Sequence, residues 1–171
     1  MWKDMGKDVY DLLVGHEVSH ALHTPFEGWH DSPEKLAGAP RSYLNVVEDA
    51  RIERFIQDLY PGLVGPMSRG YKVLKADDFF GDVDSMDWSE LKLIDKINIK
   101  AKLGHLADVP FTPEEQVFFD RAMKTQTFAD VVQLSKDILA FTKENHPEQL
   151  QPEGEPPQDM PQVNEDQEDD L

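Results

Sequence analysis

The sequence predicts a mainly α-helical domain that ends in a disordered acidic tail. Through most of residues 8–144, apolar side chains recur every three or four positions, as on one face of a helix. No window of five or more residues alternates between apolar and polar side chains in the manner of a β-strand. At 171 residues, the chain has room for about one domain. We therefore expect a helical domain over residues 1–146 and a tail over residues 147–171.

Proline, glycine and capping residues divide the helical pattern into six segments. Pro40 suits a first helical turn, and Pro61-Gly62 ends the helix that follows it. The run from Thr112 to Glu115 is typical of an N-cap followed by a proline and two acidic residues. Residues 24–39 and 77–87 are rich in glycine, proline or acidic residues and are expected to be loops. The predicted helices cover residues 8–23, 40–59, 63–76, 88–103, 112–124 and 127–144.

Negative charge is concentrated at the C-terminal end of the chain. The formal net charge is −17, and residues 147–171 contain nine acidic residues, five prolines and no lysine or arginine. A segment with so few apolar side chains cannot offset the entropy lost on ordering, so we expect it to be disordered. An acidic chain also repels phosphate groups, which argues against nucleic acid and an anionic membrane surface as partners.

The composition limits both the chemistry and the location of the protein. There is no cysteine, so any metal ion must be held by histidine and carboxylate side chains. No stretch of about 18 apolar residues exists that could span a membrane. Residues 1–11 are polar and lack the apolar region of a secretory signal. A cytosolic location is therefore the default expectation.

Residues 13–25 read LVGHEVSHALHTP and contain an HExxH pattern formed by His16, Glu17 and His20. Positions i and i+4 lie on one face of a helix, so both imidazoles can bind a single zinc ion. Glu17 is rotated by about 100° from His16, given 3.6 residues per turn. Its carboxylate would lie beside the metal ion, where it can take a proton from a water molecule. The pattern predicts a zinc site with Glu17 as the general base.

A catalytic zinc site also needs a third protein ligand and an open position. Glu48 is the strongest candidate, because it falls in the apolar stripe of the second helix, where an unpaired carboxylate is costly to bury. A competing interpretation of Glu48 is an i,i+3 ion pair with Arg51. His30, in the loop after the first helix, and Asp49, next to Glu48, are the alternative third ligands.

Two segments of the chain resemble the HExxH zinc metallopeptidases of large tailed bacteriophages. These segments are VYDLLVGHEVSHALHTP and YLNVVEDARIERFIQDLYPGL, and the resemblance covers residues 8 to about 80. Their HExxH and EDARIE motifs are shared more loosely with the cobaltochelatase subunit that carries a von Willebrand A domain and with nitric oxide reductase activation proteins. The resemblance implies a small helical zincin-like domain and a gluzincin-like peptidase that uses Zn²⁺.

The resemblance also implies roles for individual residues and partners. His16, His20 and Glu48 would be the zinc ligands and Glu17 the general base, whereas Asp49 and Arg51 would orient the ligands or balance their charge. Such relatives often continue into a von Willebrand A domain and act with an AAA+ ATPase, so we expect a partner of this kind beside a peptide or protein substrate. A phage origin would place the protein in the host cytoplasm or in the virion.

Peptide hydrolysis further requires a donor for the oxyanion and a surface that binds the substrate backbone. The candidate donors are His23, His30, Tyr43 and Tyr71. Zincin peptidases usually bind the substrate along an edge strand that precedes the active-site helix. Only about seven residues precede that helix here, so we expect the strand to be absent or supplied elsewhere. The alternative function is a metal-stabilised, non-catalytic helical module that serves interaction or phage assembly.

Overall fold

The computed structural model describes residues 6–29 and 38–150, and these residues form helices and no β-strand. The prediction of a mainly α-helical fold is confirmed. None of the helices in this part of the chain is long and apolar enough to cross a membrane. The α-helices are α1 (Lys7–His23), α2 (Phe26–Trp29), α3 (Arg41–Leu59), α4 (Val64–Ala76), α5 (Leu93–Leu103), α6 (Pro113–Ala122) and α7 (Phe128–Asn145). Single 3₁₀ turns cover Pro61–Leu63, Val83–Ser85, Gly104–Leu106 and Pro147–Gln149.

Local sequence signals account for most of the helix boundaries. At the start of α6, the hydroxyl of Thr112 accepts from the Glu115 N–H, and the Glu115 carboxylate accepts from the Thr112 N–H. Thr127 and Asp130 make the same reciprocal pair at the start of α7. These capping boxes satisfy N–H groups that a helix leaves without partners in its first turn. Gly104 ends α5 with a φ of 54°, a value that favours glycine.

Tertiary or side-chain contacts explain the boundaries that differ from prediction. The helix predicted from residue 88 begins at Leu93, because the Asp87 carboxylate accepts from both the N–H and the hydroxyl of Ser89 and closes a turn there. The short helix α2 lies in a segment predicted to be a loop, and its Trp29 ring contacts Phe128 of α7. Residues 30–37 of that loop lie outside the described residues.

The predicted acidic tail falls mostly outside the described part of the chain. Residues 151–171 are not described, so the expectation of disorder there stays a prediction. The beginning of the predicted tail is described, and Pro147–Gln149 forms a 3₁₀ turn. The side-chain amide of Gln149 donates to the Leu91 carbonyl at 3.5 Å. The folded part therefore extends a few residues beyond position 146.

Two hydrophobic cores lie at opposite ends of α3 and α5, which contribute to both. The first core joins α1 and α4 to the later residues of α3 and α5. The second core joins α6 and α7 to the earlier residues of α3 and α5. The buried members of the first core are Val9, Leu12, Leu13, Ile56, Met67, Tyr71, Leu74, Val83, Ile99, Leu103, Ala107 and Val109. Those of the second core are Tyr43, Leu44, Val46, Val47, Leu93, Ile94, Ile97, Ala122, Val131, Leu134 and Ile138.

Helix α1 is held by close contacts with α4 on one side and α3 on the other. Gly70 allows the approach of α4, because a Cβ atom at this position would lie 2.7 Å from the Asp8 carbonyl oxygen and 2.9 Å from the Leu12 Cβ. On the α3 side, the buried Ser19 hydroxyl donates to the Ile52 carbonyl at 2.6 Å. These contacts fix the position of the HExxH helix relative to α3.

The close approach at Gly70 predicts that Gly70→Ala destabilises the protein. Overpacking of a tight contact costs about 1–3 kcal/mol, whereas alanine in a helix gains about 1 kcal/mol at most over glycine. We expect urea denaturation to show a lower free energy of unfolding. Gly62→Ala is the matched control, since no atom lies within 4 Å of its added Cβ. A Gly70→Ala variant as stable as Gly62→Ala would contradict the close packing.

Candidate metal centre

Helices α1 and α3 run antiparallel and meet through polar side chains. His16 contacts Glu53, His20 contacts Asp49, and Thr24 contacts Glu48, so residues later in α1 meet residues earlier in α3. His16, Glu48, Asp49 and Glu53 are all buried. A polar seam of this kind is stable only when each buried group has a partner.

Three potential ligand atoms converge at this seam. The Nε2 atoms of His16 and His20 lie 3.6 Å and 3.2 Å from the Oδ1 atom of Asp49. The three ligand atoms all lie within 4.8 Å of one another. Atoms bound about 2.0–2.1 Å from a tetrahedral zinc ion are roughly 3.3 Å apart. The three residues therefore form a group that could hold a metal ion.

Each of these three side chains is anchored through its other polar atom. Glu53 Oε1 lies 2.8 Å from His16 Nδ1, and Thr24 Oγ1 lies 2.9 Å from His20 Nδ1. The Lys102 ammonium of α5 donates to Asp49 Oδ2 at 3.0 Å. Metal-binding histidines are commonly oriented by a partner on the second ring nitrogen. The arrangement holds both rings and the carboxylate in position. The Nε2 atoms of His16 and His20 and the Oδ1 atom of Asp49 are left facing one another.

The charges around the cluster favour a cation between these atoms. Burial by itself would lower the pKa of His16, but the Asp49 carboxylate and the hydrogen bond to Glu53 outweigh it and raise that pKa above its usual 6.5. Burial would raise the pKa of Asp49, but Lys102 and the two histidines lower it. Without a proton or a metal ion, the Nε2 lone pairs would face an ionised oxygen. The site therefore suits a positive charge.

Tyr71 lies behind His16 and is not oriented as a free donor to a substrate. Its buried hydroxyl donates to Glu53 Oε1, the same oxygen that contacts His16. Burial raises the pKa of the Tyr71 hydroxyl well above 10, and the Glu53 carboxylate raises it further. The hydroxyl thus keeps its proton and holds Glu53 in place. This position differs from the oxyanion role considered for Tyr71 from the sequence.

The structure does not bring Glu48 to the histidine pair. Its side chain is fully buried, and its oxygens accept from Arg51 Nε at 2.8 Å, Arg51 Nη2 at 2.6 Å and the Thr24 hydroxyl at 2.7 Å. Glu48 and Asp49 are adjacent on α3 and are separated by about 100° around its axis. Only one of them can face His16 and His20, and that residue is Asp49. The arrangement matches the competing interpretation of Glu48 as an Arg51 ion pair.

The other predicted site residues occupy different surroundings. Glu17 is half-buried beside His16, and none of the residues in 6–29 and 38–150 forms a hydrogen bond or ion pair with it. The His23 ring packs edge-on against Phe55, with centroids 5.3 Å apart, and its carbonyl accepts from Arg51. Tyr43 is buried in the second core. His30 lies outside the described residues.

Sequence patterns were insufficient to identify four residues that complete the site. Glu53 follows Asp49 by four positions, and Thr24 follows His20 by four positions, so helical spacing was the available signal for both. Lys102 comes from a distant helix, and nothing in its local sequence indicates contact with Asp49. Trp29, whose ring centroid lies 5.7 Å from that of His20, is placed by α2, which the sequence did not predict.

Comparison with known proteins leaves the resemblance without independent support. No protein-family model, no curated protein and no solved structure matches this chain. The phage metallopeptidase family, the activity and the partners implied by the two motifs therefore stay predictions. A metal site is indicated by the geometry and charge of the residues themselves.

The raised pKa of His16 predicts a pH dependence for the stability of the metal-free protein. Because the folded state favours the protonated imidazole, this contribution is fully present below the unfolded pKa of about 6.5 and is lost as pH rises through the higher folded pKa. We expect urea denaturation with a chelator present to give a free energy of unfolding that decreases as pH rises above about 6.5.

The control for this pH dependence is His16→Gln, which removes the titrating ring. Its unfolding free energy should vary less over the same pH range. Equal slopes for the two proteins would mean that another group causes the dependence.

Proposed function

We propose that the chain binds zinc through His16, His20 and Asp49 and is a zinc-dependent metallopeptidase. The observation that carries this proposal is the convergence of three ligand atoms whose side chains are each anchored at the opposite polar atom. Anchoring of this kind orients metal ligands. Asp49 is then the third ligand in place of Glu48, the candidate predicted from the sequence, and Glu48 contacts Thr24, which in turn contacts His20.

Three protein ligands leave a tetrahedral zinc ion with one open position, as in catalytic sites. A bound zinc ion supplies Lewis-acid chemistry, which polarises a carbonyl and lowers the pKa of a water molecule. Glu17 accepts the proton of the attacking water on its carboxylate and passes it to the leaving amine nitrogen. The absence of a competing partner for Glu17 among the described residues supports this role. A purely structural site would have no need of this carboxylate.

The surroundings of His20 provide the approach for a substrate. The side chain of His20 is 22% exposed, whereas those of His16 and Asp49 are 5% and 12% exposed. A ligand therefore reaches the cluster from the His20 side, where the Trp29 ring also lies. The substrate class, a peptide or protein, comes from the resemblance to phage metallopeptidases. The same resemblance proposes an AAA+ ATPase or a von Willebrand A domain as a working partner.

Zinc titration of three variants tests the ligand set. We expect Asp49→Asn to weaken zinc binding by more than about 100-fold, because losing a partner behind a ligand already costs about 10–100-fold. Glu48→Gln should weaken zinc binding less than Asp49→Asn does, since Glu48 is not a ligand in the proposed site. Asp58→Asn is the matched control, because Asp58 is exposed on the same helix and its substitution removes the same negative charge. A larger loss for Glu48→Gln than for Asp49→Asn would identify Glu48 as the ligand.

Hydrolysis of casein or a peptide library by the zinc-loaded protein tests the activity. We expect turnover by wild type and at least a 100-fold lower rate for Glu17→Gln, since general base catalysis contributes about 10²–10⁴-fold. The variant should bind zinc as tightly as wild type, because Glu17 is not a ligand. Equal turnover by the two proteins would exclude Glu17 as the general base.

A second candidate function is a zinc-stabilised helical interaction module. The observation in its favour is an exposed apolar stripe on α1, formed by Tyr10, Val14, Val18 and Leu22 at four-residue intervals. Contiguous apolar surface of this kind often marks a protein interface. The part of the chain that the structure describes also contains no strand on which a substrate backbone could lie. Tight zinc binding together with no turnover on any library would favour this function over the peptidase.

A further inference from the structure

We propose that Thr24 is the positioning residue for His20, and that Glu48 and Arg51 act through it. The inference rests on the proposed zinc site and assigns a role that neither motif predicts. Thr24 directly follows α1, and its backbone N–H donates to the His20 carbonyl at 2.9 Å. Its hydroxyl oxygen lies 2.9 Å from His20 Nδ1. Thr24 thus holds the main chain and the ring of the same histidine.

The ion pair between Glu48 and Arg51 determines which atoms donate in the hydrogen bonds of the Thr24 hydroxyl. Glu48 faces the Arg51 guanidinium, and a carboxylate paired in this way accepts hydrogen bonds and does not donate them. The 2.7 Å contact between Thr24 Oγ1 and Glu48 Oε1 must therefore use the single proton of the hydroxyl. The hydroxyl oxygen then has only lone pairs for His20, so His20 Nδ1 carries the proton.

This proton on Nδ1 decides which atom of His20 can bind a metal ion. In the neutral ring, one nitrogen is a donor and the other is an acceptor. With Nδ1–H directed at Thr24, Nε2 is the ring nitrogen left to bind a metal ion, and it lies 3.2 Å from Asp49 Oδ1. The relay from Arg51 through Glu48 and Thr24 thereby selects the tautomer that zinc requires.

The buried pair at the end of the relay is fixed by the backbone. Arg51 donates from Nη2 to the His23 carbonyl at 2.9 Å and from Nη1 to the Gln126 carbonyl at 3.2 Å. Its guanidinium also lies over the Phe55 ring, 5.2 Å from the centroid. These contacts hold Arg51 between the end of α1 and the residues that precede α7. Glu48 is therefore a fixed acceptor, and its burial is explained without contact to a metal ion.

The tautomer of His20 is the direct test and needs no metal. Nitrogen-15 NMR of the metal-free protein, recorded at a pH where the spectrum itself shows a neutral His20 ring, should show the Nδ1–H form of His20. In Thr24→Val the hydroxyl is absent, so the ring should shift towards the Nε2–H form, which can donate to Asp49. Thr24→Ser keeps the hydroxyl and should retain the wild-type spectrum. A wild-type His20 in the Nε2–H form would overturn the proposal.

Zinc affinity supplies the second measurement, by competition with a chromophoric chelator. We expect Thr24→Val to bind zinc about 10–100-fold more weakly than wild type, and Thr24→Ser to bind as wild type does. Circular dichroism of each metal-free variant checks that the helices are intact. Equal affinity of wild type and a folded Thr24→Val variant would overturn the role of Thr24 while leaving the zinc site in place.

The two measurements separate this inference from the proposed function. Failure of the wild-type protein to bind zinc would remove the proposed function, and the NMR spectrum would still decide whether Thr24 fixes the His20 tautomer. If Thr24→Val does not fold, the wild-type tautomer and the zinc affinity of Thr24→Ser remain decisive, since a loss of affinity in Thr24→Ser contradicts the proposal.

Discussion

Charge balance in the buried seam between α1 and α3 is the constraint on which the candidate site depends. The EDARIE segment buries three carboxylates, Glu48, Asp49 and Glu53. Arg51 pairs with Glu48, and Lys102 pairs with Asp49. Glu53 instead meets the His16 ring and the Tyr71 hydroxyl. A third positive charge is therefore needed in the seam, because an uncompensated buried charge is strongly destabilising.

The histidine pair is the place where that third charge can reside. Asp49 and Glu53 raise the pKa of His16, so a proton on its ring is one source of this charge. A divalent metal ion would supply it as well and would displace the protons, since bound histidines must be neutral. Protons and metal ions thus compete for one cluster. The same carboxylates that make the metal-free seam costly make it receptive to a cation.

The two hydrophobic cores give this polar seam its rigidity. Both α3 and α5 contribute side chains to the two cores, and the seam lies on α3 between the second-core residue Val47 and the first-core residue Ile56. Lys102 is held next to the first-core residue Leu103 on α5. Ligands on helices packed in this way lose little entropy on binding an ion. Preorganisation of this kind serves catalysis and structural metal binding equally, so the distinction between the two functions depends on Glu17.

Local sequence patterns predict most of the helices and the HExxH pair, whereas the packing of the helices against one another sets the other residues of the site. Caps, prolines and glycines are local signals, and an i,i+4 histidine pair is set by the helical repeat alone. The choice between Glu48 and Asp49 depends on how α3 is rotated against α1, which packing at Ser19 and Ile52 decides. Lys102 reaches Asp49 only because α5 packs against α3. Such contacts join residues far apart in the chain, and no local pattern encodes them.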